Sequence, residues 1–322
     1  MLFYIGVVLT LIMLSLLPNT SFKGNRKITT LFIITYSLMY FYILQYGLTL
    51  TIHPFSAAAI LMLYLASSQI YINHTLGLKN FLKIVLFIAV PIALSFIFST
   101  GKNQFHFIDI FIIALIIAMN QFRLIKVPLL YQANTIEFYG LSLTFHLLIL
   151  YIFLGYRRID INITSLGTVN VWIVTLGLTF LCCLFAALIG YKLKYLSFNL
   201  KEIRARNLFI LIIFNFFHVA IAEEIIFRGF VFNYLRQFIG GEWIPLILAT
   251  LLFGCHHISF GGKKLFVLSS IAGFFYGLTY LLTKNIFAAA FVHTITNIIW
   301  RSFFVIRTDL NSLGKPAIVK LV

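Results

Sequence analysis

Apolar stretches of about 20 residues recur along the whole chain, and they limit what this sequence can fold into. A helix of that length spans the hydrocarbon core of a bilayer, because each residue adds about 1.5 Å. A soluble domain carries roughly 25% charged residues, whereas this chain is 10% charged and 61% hydrophobic. A membrane β-barrel would show short alternating segments instead. The predicted fold class is therefore all-α, a polytopic integral membrane helical bundle.

About eleven of these stretches are predicted to be transmembrane helices. They cover residues 1–18, 28–50, 54–74, 81–99, 105–121, 138–156, 168–191, 208–236, 243–259, 265–283 and 286–306. The eighth is longer than the hydrocarbon core, so we expect it to tilt, kink or emerge at one face. The first lacks a preceding basic region, which favours a retained span over a cleaved signal peptide.

The basic residues predict an orientation. The net charge is +16, but Lys and Arg are spread over loops and not gathered on one face, so we expect no nucleic-acid partner. With the N-terminus outside, most Lys and Arg residues lie on the cytoplasmic side, as the positive-inside rule requires. Arg157 and Arg158 are exceptions, because they lie on the outer side. The heavy use of Ile, Phe, Lys and Asn is compatible with a low-G+C bacterium, so we expect the bacterial cytoplasmic membrane.

Ionisable residues divide the chain. The first seven spans carry few polar side chains, whereas the last four carry a cluster of them, and the basic connector 192–206 lies between. We therefore predict a scaffold of about seven helices over 1–200, a functional core over 201–306 and a cytoplasmic tail over 307–322. The scaffold offers a surface on which a partner protein can bind.

Two adjacent glutamates and an arginine lie within the eighth span. A charged side chain in hydrocarbon costs several kcal/mol unless it is paired or functional, and the chain has only eight acidic residues. Glu224 and Arg228 are four residues apart on one helix face, which favours an ion pair. Glu223 points about 100° away, so it is free to handle a proton. An ion-pair network that only fixes helix packing would use the same residues.

Two later spans carry histidine at similar depth. Phe253 and His257 share a face at the end of the ninth span, and His293 and Asn297 share a face in the eleventh. His293 and Asn297 can both donate hydrogen bonds to a developing oxyanion, or each histidine can be a polar contact between helices. Each polar group lies about 9–14 Å inside a boundary marked by lysine, so one cavity can hold them all.

Three motifs in this region resemble those of the CPBP family of intramembrane glutamic endopeptidases, the CAAX protease and bacteriocin-processing (Abi) proteins. They are Glu223-Glu224-x-x-x-Arg228, Phe253-x-x-x-His257 and His293-x-x-x-Asn297, in this order, within roughly residues 208–302. The resemblance implies a metal-independent intramembrane peptidase. Its substrate would be a small membrane-associated protein or peptide precursor in the lipid bilayer, and no cofactor is expected.

The resemblance also implies catalytic roles. Glu223 would be the general base that activates water, and His257 would help to hold that water. His293 and Asn297 would stabilise the tetrahedral oxyanion. Because hydrolysis requires water, these groups must line a polar cleft within the membrane.

The remaining motif residues would support this site. Glu224 and Arg228 would hold the site in its conformation, and Phe253 would define the shape of the site. Candidate substrates are a pheromone- or bacteriocin-type precursor, a leader segment, or a prenylated C-terminus.

Three other interpretations stay open. Glu223, His257 and His293 could supply three zinc ligands, with water as the fourth, although the sequence has no HExxH motif. The protein could instead be a non-catalytic membrane scaffold, regulator or immunity protein. In a transporter, Asp109 near His106 in the fifth span could belong to a proton relay.

Overall fold

The computed structural model describes residues 2–16, 26–49, 52–73, 76–98, 104–121, 144–161, 167–198 and 205–306. Every predicted apolar stretch contains a helix in this described part. Six helices are long and apolar enough to cross a membrane, and five further apolar helices are 10–17 residues long. The all-α fold class and the polytopic membrane bundle are confirmed, and the protein is an integral membrane protein.

The chain forms two compact units, residues 1–161 and 162–322. The first unit contains α1 (Leu2–Leu16), α2 (Arg26–Tyr46), α3 (Pro54–Asn73), α4 (Leu78–Phe98), α5 (Phe107–Gln121) and α6 (144–156). Helix α6 begins as an α-helix, Thr144–Leu150, and ends as a π-helix, Tyr151–Tyr156. All of its side chains but the last are buried, so α6 belongs to the core of this unit.

A buried ion pair in the first unit joins Asp109 to Arg157. Their closest nitrogen–oxygen distance is 3.1 Å, and each side chain is 1% exposed. The same Asp109 oxygen accepts from the His106 backbone N–H at 2.7 Å, and Arg157 donates to the Gln104 carbonyl at 2.7 Å. A buried guanidinium that is paired with a carboxylate is not a free loop charge, so Arg157 does not belong in a positive-inside count.

The second unit carries all three sequence motifs. It contains α7 (Val169–Lys192), β1 (Leu196–Phe198), α8 (205–239), α9 (Trp243–His256), α10 (Ile258–Thr283), α11 (Ile286–Phe303) and β2 (Phe304–Ile306). Strands β1 and β2 pair antiparallel, with Leu196 opposite Ile306. Helix α7 packs against α10 and α11. The seventh predicted span therefore shares a unit with the motif helices, and the boundary between the units lies at residues 161/162, not at the predicted residue 200. The predicted tail 307–322 lies outside the described residues.

Helix α8 changes its winding on both sides of the two glutamates. Two π-helical segments, Phe214–Ala220 and Ile225–Phe232, flank the α-helical turn Ile221–Glu224. A π-helix is hydrogen-bonded from i to i+5, and such segments occur frequently at functional sites. The wider turns change which side chains share a face, so regular helical spacing does not describe this helix along its full length.

A glycine break divides α10 near its beginning. Gly261 and Gly262 have non-helical backbone angles, and φ is +66° at Gly262. Only glycine adopts this backbone conformation readily, because it has no Cβ. The uninterrupted helix therefore begins after Gly262, close to the predicted start at residue 265.

Candidate active site

The carboxylate of Glu223 lies beside two imidazoles from other helices. Its Oε2 atom is 4.0 Å from Nε2 of His257, at the end of α9, and 3.8 Å from Nε2 of His293, on α11. This oxygen is buried and has no hydrogen-bond partner among the described residues. Both gaps are too long for direct hydrogen bonds. Helices α8, α9 and α11 therefore bring together three of the four residues predicted to be catalytic.

Both imidazoles are oriented through Nδ1. In His293, Nδ1 is 2.8 Å from Oε1 of Glu224; in His257, it is 2.9 Å from the carbonyl oxygen of Phe253. A carboxylate and a carbonyl can only accept, so each Nδ1 carries a proton and donates. Each Nε2 is thereby directed towards Glu223.

The site is most exposed at His257. Its side chain is 20% exposed, against 8% for Glu223 and 3% for His293. His257 is also the C-cap residue of α9, just before the glycine break in α10. A substrate or solvent molecule would therefore approach Glu223 most readily from the His257 side.

Glu224 and Arg228 form the ion pair that their spacing predicts. Arg228 Nη1 lies 3.1 Å from Oε1 and 3.0 Å from Oε2 of Glu224, and both side chains are fully buried. The other terminal nitrogen, Nη2, donates to the Gly273 carbonyl on α10. Glu224 Oε1 thus accepts from both Arg228 and His293, and it connects the first motif to the third.

Phe253 forms part of an aromatic wall around this ion pair. Its ring lies edge-on to His293, with centroids 5.7 Å apart at 84°, and edge-on to Tyr276, at 5.8 Å and 82°. The Arg228 guanidinium carbon lies 4.9 Å from the Phe253 ring centroid. This geometry lets the electron-rich ring face stabilise the buried cation.

Helix α10 contributes residues that none of the three sequence motifs includes. Its sequence Gly273-Phe-Phe-Tyr-Gly277 places two glycines four residues apart, which is a pattern typical of close helix contact in membranes. A Cβ atom at Gly273 would lie 2.8 Å from a Phe253 ring carbon, and one at Gly277 would overlap Leu246. The GxxxG pattern was the available signal for this face of the site.

Asn297, the fourth predicted catalytic residue, contacts a second asparagine. Its Nδ2 atom lies 3.4 Å from Oδ1 of Asn215, which is fully buried and donates to the Leu211 carbonyl at 2.8 Å. Asn215 lies in the first π-helical segment of α8, eight residues before Glu223. Asn215 lies within the predicted apolar span 208–236, and an amide side chain in such a span is a usable sequence signal.

The zinc interpretation depends on Glu223, His257 and His293, which lie together in the structure. Within the described residues, no group of three or more His, Cys, Asp or Glu side chains is arranged to hold a metal ion. Zinc ligands at about 2.0–2.2 Å in a tetrahedral site would lie about 3.3–3.6 Å from each other. The separations of Glu223 from the two imidazoles are wider, at 4.0 and 3.8 Å.

Comparison with known proteins identifies the region that carries the site. Residues 205–299 match the family model "Type II CAAX prenyl endopeptidase Rce1-like". This segment is less than a third of the chain, but it contains all three motifs. The match confirms the CAAX protease-type resemblance and, at family level, supports a membrane protease. No curated protein and no solved structure matches the chain.

Proposed function

We propose that this protein is an intramembrane glutamic endopeptidase that works without a metal. The observation that carries the proposal is the position of Glu223. Its Oε2, which has no hydrogen-bond partner in the described part of the chain, lies within 4.0 Å of Nε2 of both His257 and His293. A carboxylate that is buried between two imidazoles can accept a proton from water. A water seated to one side of this trio can reach all three atoms, since bridging waters span gaps longer than 3.5 Å.

In the first step, Glu223 would take a proton from water while the water oxygen attacks the scissile carbonyl carbon. His257 would hold this water by accepting its second hydrogen at Nε2, because Nδ1 already donates to the Phe253 carbonyl. The products of this step are a protonated Glu223 and a tetrahedral intermediate with a negative oxygen. When the carbon–nitrogen bond breaks, Glu223 would return its proton to the leaving amine.

Charge balance favours a doubly protonated His293 as the partner of the oxyanion. Glu223, Glu224 and Arg228 together leave one excess negative charge among buried groups, which is costly without compensation. Protonation of His293 on both nitrogens would neutralise this charge. Nδ1–H would then stay bonded to Glu224, and Nε2–H would be available to the oxyanion.

Asn297 can serve as a second oxyanion donor. Its Nδ2 atom carries two N–H groups, and one of them is used by Asn215. The second N–H remains for the substrate oxygen. Asn215 would then act by holding the Asn297 amide in one orientation.

The substrate would be a membrane-associated protein or peptide precursor. Since α8, α10 and α11 are long and apolar enough to cross a membrane, the scissile bond must reach Glu223 at some depth in the bilayer. A pheromone- or bacteriocin-type precursor, a leader segment and a lipid-modified C-terminus all meet this condition. We retain the N-outside, C-cytoplasmic orientation as part of the proposal.

The test compares the peptides of cells that express the wild-type protein, Glu223→Gln or Glu242→Gln. Glu242 is a matched control, because it belongs to the same unit but forms exposed ion pairs with Arg236 and Lys284. At equal protein levels, we expect one precursor to accumulate only with Glu223→Gln. The purified protein should cleave that precursor in liposomes after exhaustive chelation.

Two results would contradict the proposal. Equal cleavage by wild-type protein and Glu223→Gln would favour the non-catalytic scaffold interpretation. Loss of cleavage on chelation, with recovery when zinc is added, would favour the zinc site instead.

A further inference from the structure

We propose that Tyr276 is a positioning residue for His293, and that Thr296 anchors Tyr276 in this task. The expected effect of Tyr276 on turnover rests on the proposed function. Its expected effect on the orientation of the His293 imidazole does not. Tyr276 lies on α10, outside all three sequence motifs, and it is 2% exposed.

The ring of Tyr276 lies flat against the imidazole of His293. Their centroids are 4.4 Å apart, and the two planes differ by 14°. The hydrogen bond from His293 Nδ1 to Glu224 fixes the direction of one ring atom, but it does not fix the ring plane. The stacked phenol supplies that second constraint. The hydrogen bond to Glu224 and the stacked phenol together direct His293 Nε2 towards Glu223 Oε2, 3.8 Å away.

The hydroxyl group of Tyr276 is attached to the same helix as His293. It is hydrogen-bonded to the Thr296 side chain, three residues after His293 on α11. The Thr296 hydroxyl donates to the Val292 carbonyl at 2.8 Å, so its oxygen remains able to accept from the Tyr276 O–H. Tyr276 therefore contacts α11 at two points, and it cannot slide along His293 without breaking a buried hydrogen bond.

Helix α7 extends this arrangement beyond the segment that matches the family model. The Cys182 sulfur lies 3.3 Å from the Thr296 hydroxyl oxygen, and the Cys183 sulfur lies 3.9 Å from it. Beside Tyr276, the Thr296 oxygen can accept one further hydrogen bond, and Cys182 is the closer of the two neutral thiols that can supply it. The orientation of His293 thus depends on a chain of contacts from α7 through Thr296 and Tyr276.

A purely structural role for Tyr276 makes different predictions. A tyrosine that only fills space would tolerate phenylalanine without any change at His293. A positioning role requires both the ring and the hydroxyl, because the ring sets the imidazole plane and the hydroxyl holds the ring. Tyr276→Phe removes only the anchor, and Tyr276→Leu removes the stack as well.

Tyr280→Phe is the matched control. Tyr280 lies one turn further along α10, is buried, and forms a hydrogen bond with Asn233 at 3.0 Å. This substitution removes a buried tyrosine hydroxyl from the same helix without touching His293. Thr296→Val is the complementary variant, because it removes the acceptor of the Tyr276 hydrogen bond and preserves side-chain shape.

The experiment has two readouts on the full-length protein. The first is the NMR spectrum of ring-labelled histidine in nanodiscs, with the His293 signal assigned by His293→Gln. The second is turnover of an internally quenched peptide mixture in liposomes, corrected for folded protein. We expect the His293 signal to move strongly in Tyr276→Leu, because the ring current is lost, and weakly in Tyr276→Phe and Thr296→Val.

We expect kcat to fall about tenfold in Tyr276→Phe and about 100-fold in Tyr276→Leu, with KM nearly unchanged, since a small misplacement of a reacting group is costly. The double variant Tyr276→Phe/Thr296→Val should be no slower than the slower single variant.

An unmoved His293 signal in Tyr276→Leu would overturn the proposal, as would turnover equal to that of Tyr280→Phe. If Glu223→Gln cleaves as fast as wild-type protein, the proposed function fails. The NMR comparison then still decides whether Tyr276 orients His293.

Discussion

The Nδ1 atom of His293 lies 2.8 Å from Oε1 of Glu224, although the two residues are 69 positions apart in the sequence. Glu224 is therefore more than the ion-pair partner of Arg228, because it also determines which nitrogen of His293 faces the Glu223 carboxylate. The adjacent glutamates thus make different contacts: Glu224 orients an imidazole, and Glu223 is the residue proposed to accept a proton from water.

The ion pair between Glu224 and Arg228 gives a prediction on stability. Arg228→Met should lower the free energy of unfolding by about 3–5 kcal/mol, because a buried carboxylate loses its charged partner. The double variant Glu224→Leu/Arg228→Met should recover most of that loss, but it should remain inactive because His293 loses its orienting acceptor. Thermal unfolding and turnover measure the two effects, and a double variant that is less stable than Arg228→Met would contradict this assignment.

The asparagine pair gives a prediction on rate. Asn297→Ala should lower kcat about 100-fold if its amide stabilises the oxyanion. Asn215→Ala should cause a smaller loss, of about tenfold, because the Asn297 amide would then rotate freely. The double variant should be no slower than Asn297→Ala, since Asn215 acts only through its partner. Wild-type turnover in Asn215→Ala would show that the contact between the asparagines has no part in the reaction.

Close contact between α9 and α10 gives a prediction on packing. Gly273→Ala should cost about 1–3 kcal/mol of stability, because its Cβ would lie 2.8 Å from the Phe253 ring. Gly177→Ala on α7 is the matched control, since a Cβ there meets nothing within 4 Å. That variant should be neutral or more stable by up to about 1 kcal/mol. Equal melting temperatures for the two variants would refute the close-contact argument.

The orientation in the membrane gives a prediction on labelling. The native cysteines Cys182, Cys183 and Cys255 are first replaced by alanine, and single cysteines are then placed at the exposed positions Lys284 and Lys263. An impermeant maleimide should label Lys284→Cys on intact cells and Lys263→Cys only after permeabilisation. The reverse pattern would place the N-terminus in the cytoplasm.

The motif residues could be predicted because their chemistry is visible locally. Glu224 with Arg228 and Phe253 with His257 are pairs at helical spacing, and each is joined in the structure by a hydrogen bond of that spacing. The stretches long enough to span a bilayer were visible for the same reason, since length and apolarity are properties of one segment.

Contacts between distant segments could not be predicted in the same way. Asp109 and Arg157 are 48 positions apart, and nothing near either residue indicates the other. In the sequence, Tyr276 is one of several aromatic residues in an apolar helix. Its contact with His293 becomes visible only when α10 packs against α11. The π-helical turns around Glu223 could not be predicted either, because the apolar sequence of α8 does not distinguish them from regular α-helix.

The contact of α7 with α10 and α11 has a practical consequence for anyone who wishes to shorten or transplant this protein. A version that begins at residue 205 would retain every motif. It would lack α7, so the face of α11 that α7 covers, including Thr296, would be exposed to lipid. The smallest portable form of the candidate site is therefore expected to begin before Val169 and to contain five helices instead of four.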